Sequence, residues 1–363
     1  MDHAARRRRR LSRVLREEGL DALLISNPVN VTYLTGFSGD SSYLILGRDR
    51  TLLVSDARFT TQIAEECPGL EAHIRTVSQT VQQAATEVLD RLAFHSVGFE
   101  SAHLTVADLE TLCDLAPTTA WKGGKERVES LRARKDASEI AQIRDAISIA
   151  ERAFAMFCPM LRPGDCEKEL CDNLEMYIRR AGGQCASFPS IVAVGERAAL
   201  PHAPPTFRRV SEAGLLLVDW GASGAFYKSD LTRVLATRRI SPKLEKVYAV
   251  VLKAQERALR AIRPGVKASE IDAEARSAIS AAGFGQFFGH GLGHGIGLQV
   301  HEAPALRQNS TAILEEGMVV TVEPGIYLPG WGGVRIEDDV LVTPDGCEVL
   351  THVPKDPVPR LDF

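Results

Sequence analysis

The sequence predicts two domains of different class: an α/β domain over residues 1–128, then an α+β domain over residues 129–363 made of two related halves about a pseudo-two-fold axis. Three observations lead there. The chain has 363 residues, long for one core at about 150 residues per domain. Its first third alternates helix and strand patterns. The remainder contains one helix-helix-strand pattern twice, and each copy ends in an acid.

In the first domain, Leu11, Val14 and Leu15 fall at helical spacing, so residues 11–19 read as a helix. The basic run Arg6 to Arg10 just ahead of it reads as the solvated start of that helix rather than as a nucleic-acid-binding arm. Residues 21–26 are a short buried strand. Residues 42–46 and 51–55 are a strand pair turning at Gly47-Arg48-Asp49-Arg50. A helix over 77–93 and a strand over 96–99 complete the α/β pattern. Residues 122–127, charged and glycine-containing, read as a linker.

The second domain opens with Asp136 three residues before Glu139, a variant of the capping box. Ile140, Ile143, Ile147, Ala150, Phe154 and Phe157 follow at helical spacing. That helix ends in Arg162-Pro163-Gly164, and a later one in Arg263-Pro264-Gly265. Each is followed by a second helix, over 167–180 and 269–282, with Gly182 and Gly283 as left-handed caps. Each half then runs into an apolar strand, Leu215-Leu216-Leu217-Val218-Asp219 or Val319-Val320-Thr321-Val322-Glu323.

Composition narrows the class. Apolar residues are 45%, charged residues 25%, and the net charge is −4, so nucleic acid is not an expected partner. No apolar run reaches the ~18 residues of a membrane span. The N-terminus lacks the apolar core of a signal peptide. The seven cysteines are scattered and form no C-x-x-C pair, so neither a disulfide framework nor a thiolate zinc site is expected. Free thiols point to a reducing compartment, the cytoplasm.

The acids carry the functional signal. Asp219 and Glu323 end buried strands, where an ionised carboxylate is costly unless it is paired or binds a metal. Each strand turns back into a second acid-bearing strand, expected over 226–232 with Asp230 and over 334–340 with Glu337. Alternation places Thr232 beside Asp230 and Arg335 beside Glu337, where each can hold a spare carboxylate oxygen. Between the pairs lies a glycine-framed stretch, His290-Gly291-Leu292-Gly293-His294-Gly295, with His301 shortly after it. Four carboxylates and an imidazole suit manganese, cobalt or zinc in a two-metal arrangement. Calcium fits poorly, because a histidine is present and no looped Asp/Asn run is.

These residues resemble the pita-bread metallopeptidases: aminopeptidase P, prolidase (Xaa-Pro dipeptidase) and methionine aminopeptidase. Asp219 and Asp230 match the D-x-G…S-D-x-T-R pattern, His294 the G-H-G-x-G histidine, Glu323 the E-P-G glutamate, and Glu337 the R-x-E-D glutamate. The first domain is similar to the creatinase-type domain of aminopeptidase P and prolidase, through Leu34-Thr35-Gly36-Phe37 and Ser55-Asp56-Ala57-Arg58-Phe59. One departure is Phe226-Tyr227, where the family often has Gly-Tyr.

The resemblance implies two divalent metals, manganese first, with Asp230 and Glu337 bridging, Asp219 on one ion, and His294 with Glu323 on the other. Glu323 would move the proton of the attacking water. His202 and His301 would contact substrate at the scissile bond, His290 and Tyr327 would line the pocket, and Arg335 would support the carboxylates. The implied reaction is cleavage between an N-terminal residue and a following proline, by a homodimer. The first-domain pattern leans to aminopeptidase P, with prolidase the alternative. Arg307 lies in the interval where a cation for a dipeptide carboxylate would fall. A non-catalytic relative of the same fold would lose ligands, and all five are present.

Overall fold

The computed structural model describes residues 3–356, which divide into two compact units, one running to Arg132 and the other starting at Ala133. The first unit is built on a six-stranded sheet. Its strands are β1 (Ala22–Ile25), β2 (Tyr43–Gly47), β3 (Thr51–Asp56), β4 (Glu71–Arg75), β5 (Ser96–Glu100) and β6 (Ala120–Gly124), in the order β4-β3-β2-β1-β5-β6. Leu24, Ile45, Val54 and Val97 meet Val88 of the helix Val81–Arg91 in its core.

Several expectations shift here. The first helix is His3–Glu17 and includes the basic run. Arg7 and Arg8 reach the carbonyls of Tyr33 and Leu34, at 3.0 and 2.7 Å, while Arg9 and Arg10 stay exposed. The helix expected from residue 77 starts at Val81, because Thr80 and Gln83 form a reciprocal capping box and Val77 is fully exposed. Lys122 to Gly124 lie in β6, parallel to β5, rather than in a linker. Edge strands tolerate such polar sequence. The helices Pro28–Thr35 and Val106–Leu115 and the strand β4 had no clear sequence signal.

In the second unit the helices pair within each half. Ala137–Phe157 packs on Glu167–Arg180, and Pro242–Ala261 packs on Ala268–Ala281. Asp136 caps the first through a full capping box with Glu139. The first half carries a short pair, β7 (Cys185–Ala186) with β10 (Ala222–Ser223), and the sheet β11-β9-β8, made of β8 (Ile191–Val194), β9 (Leu215–Trp220) and β11 (Leu231–Ala236). The second half carries β13-β12-β14-β17-β18, made of β12 (Gly293–Gly295), β13 (Glu302–Leu306), β14 (Val319–Val322), β17 (Asp338–Val342) and β18 (Cys347–Val349). Beside it lies the hairpin of β15 (Gly325–Leu328) and β16 (Gly332–Arg335).

Two strands expected to be continuous are not. Residues 226–230 are irregular, so Asp230 stands just ahead of β11. The stretch 334–340 breaks at Ile336-Glu337, because β16 pairs with β15 while β17 pairs with β14. Glu337 therefore sits in the break, and a lone antiparallel bridge between Thr232 and Glu337 links the two halves there.

The core under β9 sets where Asp219 sits. Trp220, fully buried, stacks on Phe154 with ring centroids 4.1 Å apart and donates its indole N–H to the Ala150 carbonyl at 3.0 Å. Trp220→Ala should cost about 3–5 kcal/mol of unfolding free energy, read from urea denaturation. A loss under 1 kcal/mol would mean that this stack does not anchor the strand.

Candidate metal centre

The side chains expected to form one site come from both halves and meet on the floor of one cavity of about 830 Å³. Asp219 lies in β9 opposite Thr232. Asp230 precedes β11, Glu323 follows β14 and Glu337 occupies the break before β17. His294 is the middle residue of β12. Its flanking glycines are obligatory: a Cβ on Gly293 would lie 2.1 Å from the Thr321 carbonyl oxygen, and one on Gly295 2.1 Å from that of Ala303. Only a Gly-His-Gly strand lets β12 fit between its neighbours while presenting an imidazole.

The geometry selects one histidine nitrogen. His294 Nδ1 faces the Gly295 carbonyl at 3.1 Å, and Nε2 lies 3.4 Å from Glu323 Oε1 and 3.7 Å from Asp230 Oδ2. Asp230, His294 and Glu337 offer ligand atoms all within 4.8 Å of one another. Asp219 and Glu323 flank this triad.

Arg335 ties the acids together, though not along the lines of strand alternation. Its Nη2 pairs with Asp219 Oδ2 across the halves, its Nε donates to Thr232 Oγ1 at 3.0 Å, and its Nη1 donates to the Tyr327 hydroxyl at 2.8 Å. Thr232 in turn donates to Glu337 Oε2 at 2.6 Å. Thr232 thus serves Glu337 rather than Asp230, and Arg335 serves Asp219 rather than Glu337, because the break at Ile336-Glu337 shifts the register. His290 Nε2 meets the Tyr327 hydroxyl at 2.8 Å, so His290 and Tyr327 act on the acids through Arg335. Thr321 was not foreseen. It accepts from the His294 N–H at 3.0 Å and donates to Glu323 at 3.3 Å. Its position two residues before Glu323 in a strand was the available signal.

Electrostatics set the chemistry. Burial, then the charges of Glu337 and Asp219, pushes the Asp230 carboxyl well above the ordinary range. Glu337 is raised well above it in the same way, by burial and by Glu323 and Asp219. Glu323 is pushed up to about 8, chiefly by burial. The His294 imidazole is pushed down to about 4, by burial and then by His301, which favours the neutral ligand form. Asp219 Oδ1 is buried and finds no hydrogen-bond partner. An orphaned carboxylate oxygen beside acids that repel one another is what a cation-binding cluster looks like without its ions, so these residues fit divalent metal.

His202 and His301 line the same cavity, with Phe188, Ile191 and Arg307. Both histidines are exposed on its wall, and the His301 ring lies edge-on to His294, with centroids 4.3 Å apart. The loop that carries His202 is pinned at both ends by one buried carboxylate. Glu167 accepts from the Val194 N–H at 2.8 Å and from the Thr206 N–H at 2.8 Å, and pairs with Arg197.

A domain of two related halves with an acid-rich, single-histidine cluster at the base of a cavity is the make-up of a metal-dependent hydrolase. Residues 141–344 match the model of metallopeptidase family M24, and residues 7–134 match the creatinase/prolidase N-terminal domain. The chain belongs to metallopeptidase family M24, and it is a metallo-exopeptidase that uses divalent metal ions and acts on peptides. It is 34% identical to the Xaa-Pro dipeptidase of Pyrococcus furiosus, over 96% of this chain and 98% of that protein. Among solved structures it is similar to the Xaa-Pro dipeptidase from Bacillus anthracis, with TM-score 0.93, 36% identity and coverage of 97% and 99%. It is also similar to the X-Pro aminopeptidase from Thermotoga maritima, with TM-score 0.89, 35% identity and coverage of 96% and 99%.

The raised acids predict how chelation and pH combine. With Glu323 near 8 when folded and near 4.5 when unfolded, the metal-free fold holds the extra proton between those values. Its stability should therefore fall as pH rises through that window. In chelator, the melting temperature should drop from about pH 5 to about pH 8, and added divalent metal should raise it most at the upper end. A pH-independent melting temperature in chelator would contradict the site's electrostatics.

Proposed function

We propose that the protein is a dinuclear-metal Xaa-Pro exopeptidase, hydrolysing the bond between an N-terminal residue and proline, with dipeptides as the preferred substrate. The observation that carries this reading is the meeting of Asp219, Asp230, His294, Glu323 and Glu337 at the base of a cavity whose wall presents His202, His301 and Arg307. Those five residues would hold two ions. When bound, the ions acidify a water and polarise the scissile carbonyl. Manganese is the expected metal, with cobalt or zinc as alternatives, because the donors are mostly carboxylate oxygens with one imidazole.

The chain's own groups do the rest. Glu323, just past the end of β14 and 3.4 Å from His294 Nε2, takes the water proton and passes it to the proline nitrogen. His202 and His301 hold the substrate carbonyl and peptide from the wall. Tyr327 and His290 keep Arg335 aimed at Asp219, and Arg335 supports the carboxylate array. The partner is a peptide with proline second. The setting is the cytoplasm, with a homodimer as the assembly. Among the described residues no helix is long and apolar enough to cross a membrane.

Arg307 supports the dipeptide choice, reversing the lean of the first-domain sequence, and the dipeptidases among the relatives weigh the same way. A cation on the wall can receive the free carboxylate of a dipeptide, which in a longer substrate has become an amide. The aminopeptidase reading stays second, supported by the cavity's volume of about 830 Å³, near the top of the roughly 300–1,000 Å³ usual for small ligands.

Two assays decide. With manganese, Ala-Pro should be cleaved faster than Ala-Pro-Ala, and chelator should abolish both activities. Cleavage of the tripeptide alone would overturn the dipeptide choice, and activity that survives complete metal removal would overturn the mechanism. Arg307→Ala should raise KM for Ala-Pro by roughly ten-fold or more, the loss of a charge-assisted contact worth about 1.5–3 kcal/mol, and leave KM for Ala-Pro-Ala nearly unchanged. Equal effects on both substrates would remove Arg307 from carboxylate recognition.

A further inference from the structure

A second buried polar cluster contacts the backbone next to Glu323 and Glu337, and none of its members lines the cavity. At its centre is Gln255, in the apolar face of the helix Pro242–Ala261 between Val251 and Ala258 and fully buried. A buried amide is costly unless bonded, and this one is bonded throughout. Its Nε2 lies 3.1 Å from the Val322 carbonyl, 3.2 Å from the Ile336 carbonyl and 2.8 Å from Asp338 Oδ2. Its Oε1 accepts from Lys355 Nζ at 2.9 Å.

The two carbonyls belong to the residues immediately before Glu323 and Glu337. Asp338, also fully buried, accepts from Arg233 Nη2 at 2.7 Å and from Thr351 Oγ1, and pairs with Lys355. Arg233 then donates through Nη1 to the Glu337 carbonyl at 2.6 Å and the Thr232 carbonyl at 2.9 Å. Ile336 and Glu337 lie in the break between β16 and β17, where strand pairing gives way to one lone bridge. Backbone groups buried without a ladder need other partners, and here side chains supply them.

We propose that Gln255 and Arg233, joined through Asp338, are positioning residues for the metal centre, holding the backbone at Glu323 and Glu337 so that both carboxylates face the same ions. The proposal rests on the reading of those two acids as ligands. It explains why a glutamine and a charged trio lie inside an otherwise apolar helix-sheet interface: they fix the distance between two ligands that come from different strands.

The test is manganese affinity of the folded protein, measured by competition with a chromophoric chelator, alongside melting in chelator. Gln255→Met keeps the length and removes the amide. It should fold, and should bind manganese roughly 10–100-fold more weakly, the usual cost of losing a group that orients a ligand. The spectrum of a coupled manganese pair, read by electron paramagnetic resonance, should be altered at saturating metal. Lys355→Met, which leaves Gln255 in place and removes one of its partners, should give a smaller loss in the same direction. Wild-type affinity and spectrum in folded Gln255→Met, whatever its melting temperature, would overturn the proposal and leave Gln255 purely structural. If Gln255→Met does not fold, unchanged affinity in Lys355→Met overturns it instead. Failure of the unaltered protein to bind manganese would sink the ligand assignment itself, a distinct result from the variant outcomes.

Discussion

Asp219, Asp230, Glu323 and Glu337 crowd together at the base of a cavity, where burial leaves their charges poorly screened. Burial and mutual charge push Asp230 and Glu337 far from their ordinary ionisation, and one oxygen of Asp219 has no partner at all. A fold that met only its own stability would not gather these groups, since isolated buried charges are among the largest local costs a protein can carry. The arrangement makes sense with divalent cations among the acids, and much of the second unit is organised to keep it open for them. The Gly-His-Gly strand admits His294 between two neighbours. The break at Ile336-Glu337 delivers one acid from the seam between the halves.

Arg335 is the protein's own counter-charge in this region. It is bonded to Asp219, Thr232 and Tyr327 at once, and through Thr232 it reaches Glu337. It lines the same cavity as the acids. The duplicated architecture supplies two acid-bearing strand pairs, and the contacts of Thr232 and Arg335 cross between them, so neither half has a complete site alone. Asymmetry enters through His294, which only the second half carries.

The chemistry of the site was legible because it depends on residue type and spacing. Acids at the ends of apolar strands, repeated in two halves and separated by a glycine-framed histidine, point to candidate ligands and their donor chemistry, and all five side chains line one cavity. The partners of Thr232 and Arg335 were misread because alternation assumes an unbroken strand, and a break cannot be seen in Val334-Arg335-Ile336-Glu337-Asp338. Gln255 was invisible for a related reason: its partners are backbone carbonyls distant in sequence, and carbonyls leave no mark on composition. In the first unit, Val77 to Thr80, expected within the helix, lie outside it, because the box between Thr80 and Gln83 fixes a later start. Lys122 to Gly124 looked like a linker because an edge strand facing solvent has the same composition as one.

On the proposed reading five side chains hold two ions, whereas among the described residues Asp230, His294 and Glu337 alone lie within mutual ligand distance. Anomalous diffraction at the manganese edge from crystals grown with manganese tests this most directly. Two peaks about 3.5–4 Å apart, one reached by Asp219 and the other by His294 and Glu323, with Asp230 and Glu337 between them, are the predicted result. A single peak held by Asp230, His294 and Glu337 alone, with Asp219 still engaged only by Arg335, would contradict it.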